Sequence, residues 1–302
     1  MAHASITMLN SMADRDFETA LDRHVAWGLR HLDVKDSVFG KGVANLSDDE
    51  ARRAAELIDA RGLNVYCMST QLFHGDVEVG EAAFRQAHLE PLERAIAVAR
   101  ILRPNLVRLL SARTTRRRQV ADSIAWLRDR HPWVIACYRE AVERLAAAGL
   151  RVTIENECHA NILATPDEVT GFFAELDCGD AVNLTWDVQN MWQMGTVPTM
   201  DVYRRLRALL AYYHLKGGQA EPGSDALHWK SSLEDASWPV REITRQVVAD
   251  GVSPVICLNG SHGQRKPGYP YDDVLARDLA FAREIASGVE TASGVETAGG
   301  GR

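Results

Sequence analysis

A chain of 302 residues, 46% apolar and 25% charged, has an ordinary globular composition, and no apolar run approaches the roughly 18 residues that span a bilayer. A net charge of -7 opposes general attraction to phosphate backbones, so neither nucleic acid nor a membrane is an expected partner. The cysteines Cys67, Cys137, Cys158, Cys178 and Cys257 are odd in number and lack zinc-knuckle or redox spacing, so they read as reduced thiols.

The start of the chain carries neither a basic segment nor an apolar stretch of signal type, and a cytoplasmic location is the expectation. A first strand is expected at residues 6–9, then a helix near 14–27 that closes at Gly28 just before a β-branched run at 30–35. The same join recurs at Gly62 before 64–68, at Gly149 before 151–155 and at Gly251 before 253–257. Glycine after a helix supplies the left-handed cap that turns the chain into a strand. Further strands at 106–110, 182–186 and 210–215 make eight. Helices near 47–61, 80–101, 118–148, 166–176, 199–209, 238–250 and 271–286 complete the alternation. Ser47 with Glu50, and Thr165 with Pro166 and Glu168, mark two helix starts.

Eight alternating units predict an α/β protein with one (β/α)8 TIM barrel over residues 1–285. A doubly wound open sheet is the rival, but no Gly-rich dinucleotide fingerprint follows the first strand. Residues 286–302 repeat Ala-Ser-Gly-Val-Glu-Thr and end in glycines, so a disordered tail is expected there.

Catalytic groups of such a barrel gather at the C-terminal ends of its strands. The fifth strand ends in Glu155, Asn156 and Glu157, with Cys158 and His159 beyond; the sixth ends in Asp187, the seventh in His214 with Lys216 nearby, the eighth in Asn259. Two carboxylates and an imidazole at one mouth suit a divalent cation that keeps open positions for substrate oxygens. His74 beyond the third strand, His228 and Lys230 beyond the seventh, and His262 after Asn259 are candidate substrate contacts. Side chains alternate along a strand, so Lys35 or Asp36 can reach the mouth, not both. Trp186, Trp192, Tyr212 and Tyr213 read as packing. Arg116, Arg117 and Arg118 precede an expected long helix whose N-terminus disfavours cations. Arg116 is therefore a candidate for gripping an anionic substrate group, against the plainer reading of a solvated face or a subunit contact.

The order of these motifs resembles the sugar phosphate isomerase/epimerase superfamily, whose xylose isomerase-like barrel is shared with apurinic endonucleases. Glu155-Asn156-Glu157 is similar to its Glu-Asn-His element, Asp187 to Asn190 to its Asp-x-x-His element, and His214-Leu215-Lys216 matches its His-x-Lys element. The resemblance implies one divalent ion, Mn2+ first with Co2+, Mg2+ and Zn2+ as alternatives, on Glu155, Asp187 and His214, with Asn259 offering a carbonyl oxygen. It implies proton transfer next to the carbonyl of a small sugar or sugar phosphate, with Glu155 as ligand and base and Glu157 and Lys216 as further catalytic candidates.

Two positions depart from the family pattern. Asn259 replaces a glutamate that binds metal and moves a proton, and an amide cannot act as a base. Asn190 replaces a histidine of the nuclease branch, which favours a single ion and leaves Asn190 as a candidate substrate contact. The partner acid then falls to Glu157, Lys216, His228 or His262. A one-base keto-sugar lyase or dehydratase and a sugar-binding barrel without catalysis are the alternatives, and nuclease activity is opposed by Asn190 and the acidic charge. Homo-oligomer formation is left open.

Overall fold

A computed structural model describes residues 3–220, 227–228, 232–260 and 271–287. Eight strands form one parallel sheet: β1 (Ser5–Thr7), β2 (His31–Val34), β3 (Asn64–Ser69), β4 (Leu106–Leu110), β5 (Val152–Glu155), β6 (Val182–Asp187), β7 (Leu210–Leu215) and β8 (Val255–Leu258). Pairing runs from β1 through β8 and down to β2. A parallel bridge between Leu9 and Asp33, with Asp33 N donating to Met8 O at 3.3 Å, draws the two edges together into a nearly closed barrel. The expected (β/α)8 architecture is the observed one. No helix among the described residues is long and apolar enough to cross a membrane.

The four glycine joins form as expected, with Gly28, Gly62, Gly149 and Gly251 at φ of 65°, 64°, 77° and 65°, the left-handed region that a side chain would strain. Both capping boxes, Ser47 with Glu50 and Thr165 with Glu168, close with reciprocal hydrogen bonds. Two long helices expected from the pattern are each divided. Residues 80–101 hold Glu81–His88 and Leu92–Leu102, because Pro91 between them has no N–H to continue the first helix. Within 118–148 the helices are Ser123–Arg130 and Pro132–Ala147, divided ahead of Pro132. The tail expected from 286 onward lies outside the described residues beyond Ser287, and Ala286 itself ends the helix Tyr271–Ala286.

The division corrects the reading of the arginine run. Arg117 sits in a short 3-10 turn, Arg117–Gln119, and the helix that follows is capped by Asp122, whose carboxylate accepts from Ile124 N and Ala125 N. At that helix end the acceptors are carboxylates, and Arg117 meets it only through Glu168, which accepts from Ser123 N. Arg117 instead grips Glu168 with one nitrogen at 2.8 and 2.9 Å from its two oxygens. The buried Glu168 carboxylate also accepts from the backbone of Ser123, Ala164 and Thr165 at 3.0–3.1 Å. The anion that the arginines seemed to call for is supplied by the chain.

Apolar packing falls into a large layer between strands and helices and a small one inside the barrel, where Leu9, Leu106, Tyr212, Val255 and Cys257 meet. Asp33, Arg108, Glu155, Asp187 and His214 are also buried. All five cysteines are free thiols.

Removing the Glu168 carboxylate leaves a largely buried guanidinium and three backbone donors without their acceptor. Glu168→Ala should therefore lower unfolding stability by about 3–5 kcal/mol in urea melts, whereas Arg116→Ala, at an exposed side chain, should stay within about 0.5 kcal/mol. Equal losses in the two variants would refute this placement.

Candidate active site

Alternation along β5, β6 and β7 delivers Glu155, Asp187 and His214 to one end of the barrel, and the register sets Asp187 directly beside His214. His214 Nδ1 lies 3.0 Å from Glu155 Oε1 and 3.7 Å from Asp187 Oδ2. One ligand-type atom from each of the three falls within 4.8 Å of the others, and all three residues are buried. Asn156 ties the strand ends together: its Oδ1 accepts from Asp187 N at 2.8 Å and its Nδ2 donates to Asp187 O at 2.9 Å. Asp187 also caps the short helix Val188–Gln193 by accepting from Asn190 N at 2.9 Å. Asn190 is thereby fixed, its own amide donating to Asn156 O at 3.2 Å.

Two cations stabilise these carboxylates. Arg108 Nη1 is 2.7 Å from Glu155 Oε2, and Lys216 Nζ is 2.5 Å from Asp187 Oδ2. Burial alone would push the Glu155 carboxyl up, but Arg108 and His214 hold it well below the usual carboxylate range. Burial likewise disfavours the Lys216 ammonium, and Asp187 more than offsets this and raises its pKa. For His214 the same contest, burial against the charges of Glu155, Asp187 and Asp33, ends with the imidazole raised to about 9. Behind it, Asp33 Oδ2 stands 3.7 Å from His214 Nε2 and accepts from Tyr212 OH at 2.9 Å.

These residues fit a divalent cation. Asp187 Oδ2 has no aligned hydrogen bond, the Lys216 contact being close but poorly directed, and His214 Nε2 and Asp33 Oδ1 also lack hydrogen-bond partners among the described residues. Two carboxylates and an imidazole are a donor set that several divalent metals accept. A carboxylate behind the imidazole, as Asp33 is here, is the usual outer partner of a metal-bound histidine. Asn259 Nδ2 lies 3.1 Å from His214 Nδ1 while its Oδ1 accepts from Cys257 Sγ at 3.0 Å, so a half-turn of the amide would present the carbonyl oxygen to the cluster.

Above the cluster opens a cavity of about 380 Å³ lined by Glu155, His214, Lys216 and Asn259 from the strand ends, together with Lys35, His74, Arg108, Glu157, Cys158, His159, Gln189, Asn190, Gln193 and Leu9. Of the pair on β2, Lys35 reaches it and Asp36 does not. The Glu157 carboxylate is half-buried and accepts from Cys158 N at 2.9 Å and Cys158 Sγ at 3.3 Å. His74 is lowered below the ordinary histidine value, burial outweighing the nearby Glu157 charge. Arg116 is a correction: it lines a separate cavity with Glu78, Trp126, Arg130 and His131, its Nε 3.4 Å from Glu78 Oε2. The side chain of His228, and Lys230 and His262 entirely, lie outside the described residues. Trp186 packs against Tyr203 and Tyr213, and Trp192 against Trp238, as the packing reading expects. Tyr212 does more, through its hydroxyl on Asp33.

Sequence reasoning missed Arg108 and the inner role of Asp33. A signal for the first was present: a lone arginine inside Leu106-Val107-Arg108-Leu109-Leu110, an apolar parallel strand, has to be paired with an acid when buried.

The sequence profile described as a xylose isomerase-like TIM barrel matches residues 16–284. No curated protein sequence matches the chain. Among solved structures, a xylose isomerase-like TIM barrel protein from Mycobacterium smegmatis in complex with magnesium is similar with a TM-score of 0.66 at 18% identity, over 95% of this chain and 97% of that one. A 3-keto-D-glucoside 4-epimerase from E. coli gives 0.65 at 16%, over 92% and 99%. A probable 3-DHS dehydratase from Bacillus anthracis gives 0.67 at 17%, over 91% and 97%.

The raised value at His214 has a readable consequence in metal-free protein. Its ion contacts contribute stability in full below the ordinary value of 6.5 and lose it as pH rises through about 9. NMR titration of labelled histidine should place this imidazole near 9, and Asp33→Asn, which removes one of the supporting charges, should lower it. A midpoint near 6.5 in both proteins would contradict the geometry.

Proposed function

Because the chain belongs to the xylose isomerase-like TIM barrel family, we propose that it is a divalent-metal-dependent isomerase or epimerase that moves a proton next to the carbonyl of a small sugar. The observation that carries this reading is the convergence of Glu155, Asp187 and His214 beneath one open cavity. An ion held there, with Mn2+ the first expectation and Co2+, Mg2+ or Zn2+ the alternatives, would polarise neighbouring carbonyl and hydroxyl oxygens and acidify the C–H between them.

The side chains divide the remaining work. Glu155, paired with Arg108 and held strongly acidic, is suited to bear charge and poorly suited to accept a proton near neutral pH. Lys216 is paired with Asp187 and has further N–H groups for a substrate oxygen. Glu157, on the cavity wall, is hydrogen-bonded by Cys158 N and Sγ and feels His74, Arg108 and Lys216 only through space, without an ion pair among the described residues, and is the better-placed proton carrier. Gln189, Asn190 and His74 border the space in which substrate hydroxyls would sit. Asn259 supports a second reading: with an amide at the end of β8, one base serving a keto-sugar lyase or dehydratase is the other chemistry compatible with this mouth.

Two measurements test the proposal. Elemental analysis should find about one divalent ion per chain, largely lost in Asp187→Ala and His214→Ala; equal metal in all three proteins would sink the ligand assignment. With the metal-loaded enzyme in D2O, a ketose substrate should take up deuterium next to its carbonyl. Glu157→Gln should retain metal yet lose the exchange by about 100-fold or more, the ordinary worth of a general base. Absence of exchange from every keto-sugar tried would favour the sugar-binding reading.

A further inference from the structure

The cavity wall opposite the Glu155, Asp187 and His214 cluster includes Lys35, the residue just past β2, a strand that stands four strands from β6 in the barrel order. Asp33 is on the inner face of this strand, beneath the cavity, and Lys35, two residues on and just past its end, continues the alternation one layer higher along the wall. The backbone there is clamped. Asn10, itself buried, accepts from Lys35 N at 2.9 Å and donates to Asp36 O at 2.7 Å, and Val43 N donates to Lys35 O at 2.7 Å.

Lys35 differs from the other cations of the cavity. Arg108 has Glu155 and Lys216 has Asp187, whereas Lys35 has no carboxylate partner among the described residues. Apart from His214 Nε2, which faces Asp33, the uncommitted buried nitrogens on this lining are Arg108 Nε, His74 Nδ1 and Gln193 Nε2, with no hydrogen-bond partner among the described residues. Buried donors of this kind are costly unless a ligand completes them. Among the acceptors on the same lining, Gln189 Oε1 is also without a partner, but the charged ones are engaged: both Glu155 oxygens face cations, and Glu157 accepts from Cys158. With one divalent ion at the cluster, the charges of Lys35, Arg108, Lys216 and the ion would exceed those of Asp33, Glu155, Glu157 and Asp187.

From this we infer that the substrate is a sugar acid, with its carboxylate on Lys35 and its carbonyl end toward β5–β7. The inference rests on the cavity being the sugar site proposed above. A single free ammonium with planar donors nearby matches a two-oxygen monoanion. Phosphate groups in barrels of this fold are commonly held by the loops after strands seven and eight, away from β2.

D-Gluconate and D-glucitol make a matched pair of non-reacting probes, differing by a carboxylate in place of a terminal alcohol. In calorimetric or NMR titrations of metal-loaded protein, gluconate should bind about tenfold tighter, the usual advantage of a charge-assisted hydrogen bond. Lys35→Gln should reduce the ratio to near one while glucitol binds as before, and Lys35→Arg should keep most of the preference. Equal binding of the two by the wild type, or a gluconate preference that survives Lys35→Gln, would overturn the inference. Tighter binding of glucitol 6-phosphate than of gluconate would overturn the choice of carboxylate over phosphate. Because no turnover is read, failure of the proton-transfer reading would show separately, as absent deuterium exchange beside an intact gluconate preference.

Discussion

Arg108 on Glu155 and Lys216 on Asp187 are the contacts on which the rest of the mouth depends. An isolated carboxylate in a protein interior costs several kcal/mol, and it stays ionised only when a close cation and hydrogen bonds offset that cost. Each pair joins side chains from neighbouring strands, Arg108 on β4 to Glu155 on β5, and Lys216 just past β7 to Asp187 on β6. Asn156 adds a third link, from β5 to β6. The end of the barrel is thus held by ion pairs and the Asn156 hydrogen bonds above an apolar floor. A price in basicity comes with this arrangement: what keeps a carboxylate charged also makes it reluctant to take a proton. Bearing charge and moving protons then fall to different side chains.

His214 is where the layers meet. Its Nδ1 faces Glu155, Asp187 and Asn259, and its Nε2 faces Asp33, which Tyr212 in turn orients. An imidazole raised to about 9 carries a proton at neutral pH, so on the proposed reading a metal ion binding His214 would have to displace it. Proton and metal ion relieve the same crowding of negative charge. Asp33, on the far side, adds its charge at 3.7 Å from Nε2, beyond hydrogen-bond reach.

How much of this was legible in the sequence follows from the range of each signal. Strand and helix order was readable because Gly28, Gly62, Gly149 and Gly251 mark local joins, and a local rule needs no partner to be known. The strand ends Glu155, Asp187 and His214 were readable because a barrel directs all its strands to one mouth. Arg116 was misplaced because the helix-end argument assumed an unbroken helix, whereas Asp122 begins the helix and Glu168, 51 residues from Arg117, supplies the counter-charge. The apolar run around Arg108 signalled that it needs an acid, but not which one: its partner lies 47 positions along the chain. Lys35 and Asp36 could be narrowed to one by alternation, but choosing between them needed the face of β2 that turns inward.

Asn259 and Glu157 are best understood together. Against the family pattern that the motifs resemble, a carboxylate is missing at the end of β8 and an additional one stands after β5, where that pattern has a histidine. On the proposed reading the carboxylate has changed strands rather than vanished. A fifth acid at position 259 would have joined Asp33, Glu155, Glu157 and Asp187 where Arg108 and Lys216 are already paired and, among the described lining residues, Lys35 alone has no carboxylate partner, and the neutral amide avoids that crowding. The stereochemical consequence is definite. Epimerisation removes a proton from one face of a planar intermediate and returns one to the other, which requires acids on two sides. Exchange between aldose and ketose can return the proton on the face it left. A single carrier at Glu157, with an amide across the mouth, therefore suits isomerisation or elimination more readily than inversion, unless Lys216, already committed to Asp187, also acts as a donor.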